Sequence, residues 1–344
     1  MRTSYLIAAA REVDGVGSLA PVQAQWDAIG RQGLRRTKLT IDPLAAGWDS
    51  PIATGHFRSG CAPIDALAHA GRLVREGTAD AVLIQGEDDL RAQYGRDRTS
   101  LAREMAIYGP ECTIPEAYTR LAHAFIKQHR ISDALFKELA AALFDNYTRT
   151  AHHNNTYRPP KPSAFAMVTD LFRKVDCANP VVDFRGALIV ASETLAEQGA
   201  IQIAAVATAQ ASGDGPSHVE ELALYDHLRT ACSAAYARSG IDLPCEFLAG
   251  RALLDAYTCF PVAPLGFLVA SGIVNDVAEI LPLLRDHEIT VTGGMNLARA
   301  AWNNPALNAL IVMCDRLRAG DASVGAVHGN GGLGYRQGLA ILRA

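Results

Sequence analysis

Two glycine-rich turns near the carboxyl-terminal end constrain this chain more than any other feature of its sequence. The first is Thr292-Gly293-Gly294, and the second runs from His328 to Gly334 as His-Gly-Asn-Gly-Gly-Leu-Gly. Each follows a predicted strand, Thr290–Thr292 or Val324–His328. Glycine adopts positive φ and lets the backbone approach a ligand closely. The turns therefore predict a pocket of clustered backbone N–H groups, with substrate-binding positions at Gly293, Gly294, Asn330, Gly331 and Gly332.

Two other stretches resemble each other and indicate a duplicated α/β fold. Leu73–Asp80 leads into a predicted strand that ends at Gly86, and Leu317–Ser323 leads into Val324–His328. In both, a predicted helix ends at Arg-x-Gly, as expected where glycine follows a helix and arginine complements the helix dipole. The pattern predicts two similar α/β halves, each with a mixed sheet covered by helices.

Between the repeated stretches lies a region of different character, about 94–174, which we predict to be a helical insertion. Glu116–His129 and Asp133–Thr150 have apolar residues at helical spacing. A polar, proline-rich loop follows them and begins with His152-His153. Two neighbouring positions of an extended chain face opposite sides, so these histidines do not predict a joint metal site. The predicted domains are 1–195, including the insertion, and 196–344.

Composition excludes several functional classes. With 344 residues and a net charge of −4, the chain has no basic stripe of the nucleic-acid-binding kind. The seven cysteines lack paired spacing, which favours a reducing compartment and no structural zinc site. The apolar run at the amino terminus is followed at once by Arg11, Glu12 and Asp14, so it predicts a strand rather than a signal peptide or membrane span. We expect a cytoplasmic protein.

The order of these motifs resembles the thiolase superfamily over nearly the whole chain. The segments are the strand Tyr5–Ala10, the helix that begins near Cys61, Ala79–Gly86, Val181–Ser192, Tyr257–Phe260, Thr290–Gly294 and Val327–Gly334. The closest similarity is to the sterol-carrier-type and lipid-transfer-type thiolase-like proteins. The resemblance implies a thiolase-like fold of two α/β halves, and chemistry that makes or breaks a C–C bond beside an acyl-CoA thioester.

Such chemistry uses a nucleophile at a helix amino terminus, an acid/base and two oxyanion holes. The family's cysteine falls on Gly60 when counted back from Arg75–Asp80, one residue before Cys61. Cys61 is therefore either a shifted nucleophile or a packing residue at the start of the helix. Pro63 suits the first helical turn, which leaves Cys61 near the positive end of the helix dipole.

The other positions of the resemblance also depart from the family pattern. Tyr257 stands at the leading polar position of Tyr257-Thr258-Cys259-Phe260, where it is either an oxyanion donor or acid/base, or a core residue. Ala300 stands where the family has a histidine. His328 replaces the cysteine that moves the α-proton, and a histidine can carry the same proton. The predicted catalytic residues are Cys61, Tyr257 and His328.

The resemblance implies an acyltransferase that acts on acyl-CoA, without a permanently bound cofactor or a metal. Two alternatives stay open, because the usual constellation of cysteines is missing. One is a tyrosine-dependent retro-aldolase acting on a β-hydroxyacyl-CoA. The other is a non-catalytic subunit of a multi-component acyltransferase. We also expect a homodimer, and a small CoA-binding partner protein is implied for the retro-aldolase.

Overall fold

The computed structural model describes residues 2–297 and 301–344. Its described part contains one mixed sheet of ten strands. The strands are β1 Ser4–Val13, β2 Val16–Gly17, β3 Arg36–Ile41, β4 His56–Phe57, β5 Ala81–Asp89, β6 Asp183–Ser192, β7 Ile201–Gln210, β8 Ala252–Asp255, β9 Val324–Gly331 and β10 Arg336–Arg343.

Thirteen α-helices lie in the same described ranges. They are α1 Ala20–Arg31, α2 Ala62–Arg75, α3 Leu90–Arg96, α4 Arg98–Glu104, α5 Ile114–His129, α6 Asp133–His153, α7 Val219–Leu222, α8 Asp226–Ser239, α9 Leu243–Leu248, α10 Val262–Ala270, α11 Ile280–Asp286, α12 Gly294–Leu297 and α13 Pro305–Arg318.

The strand order is β4-β3-β5-β6-β1-β7-β10-β9-β8, with β2 paired to β1. Reading outward from the central β1–β7 pair, β6-β5-β3 on one side corresponds to β10-β9-β8 on the other. The pairing directions also match, because β3–β5 and β8–β9 are parallel while β5–β6 and β9–β10 are antiparallel. The predicted equivalence of the strands at 79–86 and 324–328 is therefore confirmed, and so is the fold of two similar α/β halves.

Helices α2 and α13 precede the equivalent strands β5 and β9, and they share one hydrophobic core. Alternation along β5 explains why both faces of the sheet are covered. Val82 and Ile84 face the core that contains α2 and α13. Ala81 and Leu83 face the opposite side, where they pack with Trp26 of α1.

The predicted insertion lies between β5 and β6 and contributes α4, α5 and α6. Helix α5 begins with a capping box, in which the Thr113 hydroxyl accepts from the Glu116 amide and the Glu116 carboxylate accepts from the Thr113 amide. Such reciprocal bonds satisfy two otherwise orphaned donors. The insertion packs on the second half of the molecule, where Leu121 and Phe125 join the core that contains α8 and α10.

One predicted strand is absent from the structure. Thr290–Thr292 forms no strand, because a carboxylate replaces the expected sheet partner. Oδ2 of Asp255 accepts hydrogen bonds from the amides of Val291 and Thr292, both at 2.9 Å. The first glycine turn is thus held by a side chain at the end of β8.

The predicted division between 195 and 196 falls between β6 and β7. Because one sheet runs through both parts, that boundary stays a proposal. Over residues 2–297 and 301–344, no helix is both long enough and apolar enough to cross a membrane.

Candidate functional site

A largely apolar cavity of about 440 Å³ opens between the insertion and the ends of the second-half strands. Pockets that hold small ligands commonly have volumes of about 300–1,000 Å³. The insertion supplies Met105, Ile107 and Ile114 to its wall. The polar groups of the wall gather where the turn before α2 meets β9, so this end is the candidate active site.

Gly60 lies on the cavity wall, two residues before the start of α2. It is the position to which the resemblance assigns the cysteine of the thiolases. A Cβ atom built on Gly60 would collide with the hydroxyl of Tyr257 and with the carbonyl oxygen of Asn330. The phenol of Tyr257 therefore occupies the space that a side chain at position 60 would fill. Glycine at 60 and tyrosine at 257 form a matched pair.

The turn into α2 is strained at the residue before Gly60. Ser59 has a φ of +143°, a conformation that residues with side chains rarely adopt, and it is buried. Strain of this kind costs of the order of 1–3 kcal/mol and clusters at functional sites. The Ser59 hydroxyl accepts a 3.2 Å hydrogen bond from the Cys61 amide, which stabilises the turn.

Cys61 points away from the cavity, into the core beneath the sheet. Its exposed fraction is 0%. Cβ atoms built on Gly329 and Gly338 would lie 3.4 Å and 2.9 Å from its sulfur, so the thiol packs against β9 and β10. Burial raises the pKa of the Cys61 thiol well above its usual value. This position matches the packing interpretation of Cys61 and does not favour the nucleophile interpretation.

Tyr257 lies on the cavity wall, although it is only 7% exposed. Burial raises the pKa of its hydroxyl well above the usual value of a phenol. The group therefore stays protonated near neutral pH and can donate a hydrogen bond into the cavity.

His328 lies beside Tyr257 but does not reach the large cavity. Its Nε2 donates to Oε1 of Gln337 at 2.7 Å, and its Nδ1 accepts from the Tyr257 amide at 3.3 Å. The ring stacks on Phe267 with centroids 4.3 Å apart. Burial lowers the pKa of His328 to about 4, so the imidazole is neutral. With both nitrogens bonded, His328 positions the backbone of Tyr257.

Asn330, which lines the cavity, is connected to His328 by hydrogen bonds through Gln337. Its Oδ1 accepts from Nε2 of Gln337 at 2.8 Å, and its Nδ2 donates to the Tyr118 hydroxyl at 3.2 Å. Tyr118 donates to the carbonyl of Gly332 at 2.6 Å and accepts from the thiol of Cys259 at 3.2 Å. Burial raises the pKa of Cys259 to about 12, so this cysteine on the cavity wall is a thiol, not a thiolate.

The predicted glycines separate into two groups. Gly293 and Gly294 have positive φ but approach α6, where added Cβ atoms would meet Ala151 and Tyr147. They do not line the large cavity. Gly332 does line it, and Gly331 packs against Ser59. The second glycine turn therefore lies at the cavity, whereas the first one packs against α6 outside the cavity wall.

The structure adds residues that the sequence analysis missed. Tyr108 and Tyr118, both from the insertion, line the cavity. The Tyr108 hydroxyl contacts Asp214, at 3.2 Å from one oxygen and 3.4 Å from the other. Asp214 lies in Gly213-Asp214-Gly215-Pro216, which by sequence indicates only a turn. The contact joins segments 106 residues apart, so no local signal could have revealed it.

The remaining predicted positions lie elsewhere. Ala300 is outside the described residues. His152 stacks on Tyr157, while His153 pairs with Glu288 at 2.6 Å, so the two histidines have different neighbours. Within the described ranges, no group of three or more His, Cys, Asp or Glu side chains is arranged to hold a metal ion.

Comparisons with known proteins bear on the fold. No family model and no curated protein matches the sequence. The structure is similar to that of a monomeric SCP2-thiolase like protein type 1 (STLP1) from Mycobacterium smegmatis, with a TM-score of 0.72 and 17% identity, over 99% of this chain and 77% of that one. It is also similar to the Ltp2-ChsH2(DUF35) aldolase, with a TM-score of 0.61 and 15% identity, over 99% and 98% of the two chains. The thiolase-like fold predicted from the motif order is thereby confirmed.

Proposed function

We propose that this chain is a thiolase-fold enzyme that cleaves the Cα–Cβ bond of a β-hydroxyacyl-CoA by a tyrosine-dependent retro-aldol reaction. The observation that carries the proposal is that, just before α2, a tyrosine phenol lies where a cysteine side chain at position 60 would be. The resemblance assigns the nucleophile to position 60, where this chain has glycine, and the Tyr257 hydroxyl fills the space beside it. A phenol there can act on a thioester oxygen but cannot form an acyl-thioester intermediate.

In this reaction the Cα–Cβ electron pair moves onto the thioester, and negative charge develops on its carbonyl oxygen. Tyr257 would donate a hydrogen bond to that oxygen. Its raised pKa supports this role, because the phenol keeps its proton at neutral pH. Donors that stabilise such an oxyanion are worth about 10²–10³ in rate each.

The lining of the cavity supports an apolar acyl group in the substrate. Met105, Ile107, Ile114 and Trp302 contribute side chains to a space of about 440 Å³. Apolar surface that is removed from water on binding stabilises the complex by about 25 cal/mol per Å². The CoA part of the substrate is inferred from the resemblance to thiolases.

The rival acyltransferase needs a thiolate that can reach the substrate. Cys61 faces β9 and β10. The thiol of Cys259 has a pKa of about 12 and donates a hydrogen bond to the Tyr118 hydroxyl. Neither environment favours a thiolate. The acyltransferase hypothesis thus requires a rearrangement of the start of α2, and the retro-aldolase does not.

A small partner protein belongs to the proposal as well. One of the similar structures pairs Ltp2 with ChsH2(DUF35) and is described as an aldolase. By analogy, we propose that a small CoA-binding protein completes the site of this chain. Full activity would then require that partner, and the chain alone would show a slower reaction.

The test is a substrate panel. The purified chain is incubated with 3-hydroxyacyl-CoA thioesters of increasing acyl size, and with 3-oxoacyl-CoA plus free CoA. Liquid chromatography and mass spectrometry measure the products. A retro-aldolase releases an aldehyde or ketone and a shorter acyl-CoA from the hydroxy substrates only. Thiolysis of the oxo substrates would support the acyltransferase, and no reaction with either class would support a non-catalytic subunit.

A further inference from the structure

A retro-aldol cleavage requires a base that Tyr257 and His328 do not supply. The β-hydroxyl must lose its proton as the Cα–Cβ bond breaks, and Cα must then gain one. Tyr257 is a protonated phenol, and both nitrogens of His328 are engaged in hydrogen bonds. The base must therefore act through another residue of the cavity wall.

Tyr108 and Asp214 form a pair with suitable geometry. The Tyr108 side chain lines the cavity, and its hydroxyl lies 3.2 Å from one oxygen of the half-buried Asp214 carboxylate. A distance at the long end of the hydrogen-bond range is common in free enzymes, where catalytic contacts tighten only after substrate binds. Tyr108 comes from the insertion and Asp214 from the segment after β7, so the pair bridges the two.

The second glycine turn positions this carboxylate. Oδ1 of Asp214 accepts a 2.9 Å hydrogen bond from the Leu333 amide. Gly332 has a φ of +55°, and a Cβ atom there would collide with the Asp214 carboxylate. The carbonyl of Gly332 also accepts from Tyr118. One turn thus connects the Tyr108–Asp214 pair to Tyr118 and Asn330 at the polar end of the cavity.

We infer that Tyr108 and Asp214 are a proton relay, in which Tyr108 contacts the substrate and Asp214 is the base behind it. This inference rests on the proposed retro-aldolase function. The β-hydroxyl proton moves to the Tyr108 oxygen as the proton of Tyr108 moves to the Asp214 carboxylate. The β-carbon becomes a carbonyl, and the Cα–Cβ electron pair becomes the thioester enolate. The relay then runs backwards and delivers the proton to Cα, so both residues return to their starting states.

The surroundings of Asp214 suit a base of intermediate strength. Burial raises the pKa of its carboxyl above the ordinary value, and the Leu333 and Gly215 amides and Tyr108 oppose that rise. Two more titratable groups face it, since His218 lowers the pKa of Asp214 and Asp214 raises the pKa of Tyr335. A stronger carboxylate base is matched better to the proton of a hydroxyl group.

Two variants test the relay on the full-length protein, together with its partner if activity requires one. Asp214→Asn keeps an oxygen for the Leu333 amide and the Tyr108 hydroxyl but cannot take a proton. Tyr108→Phe keeps the ring. Both should lower cleavage of a 3-hydroxyacyl-CoA by about 10²–10⁴-fold, and Asp214→Glu should recover part of the loss. The control is Glu221→Gln, which removes the charge of a carboxylate that holds the nearby Ser212 amide at the surface.

A second readout separates chemistry from structure. In D₂O, the relay and Tyr257 together should exchange the Cα hydrogens of the product acyl-CoA for deuterium, as mass spectrometry would record. Asp214→Asn should abolish this exchange while the thioester still binds with unchanged Kd. Normal cleavage and exchange in both variants would overturn the relay and leave the retro-aldolase intact. Absence of cleavage in the unmodified enzyme, with or without the partner, would overturn the proposed function itself.

Discussion

At the residue scale, the proposed chemistry depends on the fit between Gly60 and Tyr257. In Gly60→Ala, the new Cβ would collide with the Tyr257 hydroxyl and the Asn330 carbonyl, so the phenol must move. Misplacement of a catalytic group by about 1 Å can cost about 10²-fold in rate. We expect a loss of that size in kcat/KM for retro-aldol cleavage.

The matched control is Gly95→Ala, within α3. A Cβ there meets no atom within 4 Å, so this variant should keep full activity. Circular dichroism would check that both variants are folded. An active, folded Gly60→Ala would contradict the role of Tyr257.

Cysteine accessibility is a second prediction at this scale. Cys245 is exposed, whereas Cys61 is completely buried and the pKa of its thiol is raised. Iodoacetamide at neutral pH should therefore modify Cys245 first and leave Cys61 unmodified until the protein unfolds. Peptide mass spectrometry would follow each site. Labelling of Cys61 before Cys245, with protection by an acyl-CoA, would restore the nucleophile hypothesis.

The same residues illustrate what the sequence could not reveal. Gly60 and Cys61 are neighbours just before α2, yet Gly60 lies on the cavity wall and Cys61 lies in the core. The motif located the start of α2 to within one residue, yet whether position 60 or 61 faces the cavity depends on contacts with β9 and β10. The Tyr118 hydroxyl contacts Cys259, 141 residues away in the sequence, and Asn330, 212 residues away. No local sequence pattern indicates such contacts.

At the scale of elements, strands β9 and β10 hold three buried polar side chains that are joined by hydrogen bonds. They are His328, Gln337 and Asn330. His328 has a folded-state pKa of about 4, below the 6.5 of an exposed histidine. The unfolded chain therefore binds this proton more readily. The contribution of His328 to the free energy of unfolding is fully present above pH 6.5. As the pH falls towards 4, the free energy of unfolding declines by up to about 3 kcal/mol.

Urea denaturation at pH 7, 5 and 4 measures this dependence in the unmodified protein and in His328→Leu. The variant is less stable at every pH, because Gln337 and the Tyr257 amide lose their partner, but its stability should fall less steeply with acid. The buried carboxyls contribute to both proteins and cancel in the comparison. If the free energy of unfolding fell equally steeply with acid in both proteins, the pKa of His328 would not be lowered in the folded state.

Element order was predictable because its signals are local. Helix ends at Arg-x-Gly and the strands after them are read from a few neighbouring residues, and β5 and β9 appear where these signals predict them. Thr290–Thr292 shows the limit of such signals. Its residues favour a strand, but the Asp255 carboxylate takes the backbone N–H groups that a neighbouring strand would have bonded.

At the scale of the whole molecule, we predict a homodimer formed through the edge of the sheet. Strand β4 pairs with β3 only at Thr40 and Ile41, so within the described residues Arg36–Leu39 has no strand partner on its outer side. An open edge is a site for pairing with a second chain. Light scattering at micromolar concentration should give twice the mass of 36.7 kDa. A monomer would refute the prediction; one similar structure is described as monomeric.

The central claim is that this thiolase-like fold works without a cysteine nucleophile. The most direct measurement compares Cys61→Ala with Tyr257→Phe in cleavage of a 3-hydroxyacyl-CoA, while intact mass spectrometry looks for an acyl group on the enzyme. We expect turnover within about twofold of the unmodified enzyme for Cys61→Ala, a loss of about 10²–10³-fold for Tyr257→Phe, and no acyl adduct. Loss of all turnover in Cys61→Ala, with an acyl adduct mapped to Cys61 in the unmodified protein, would contradict the claim.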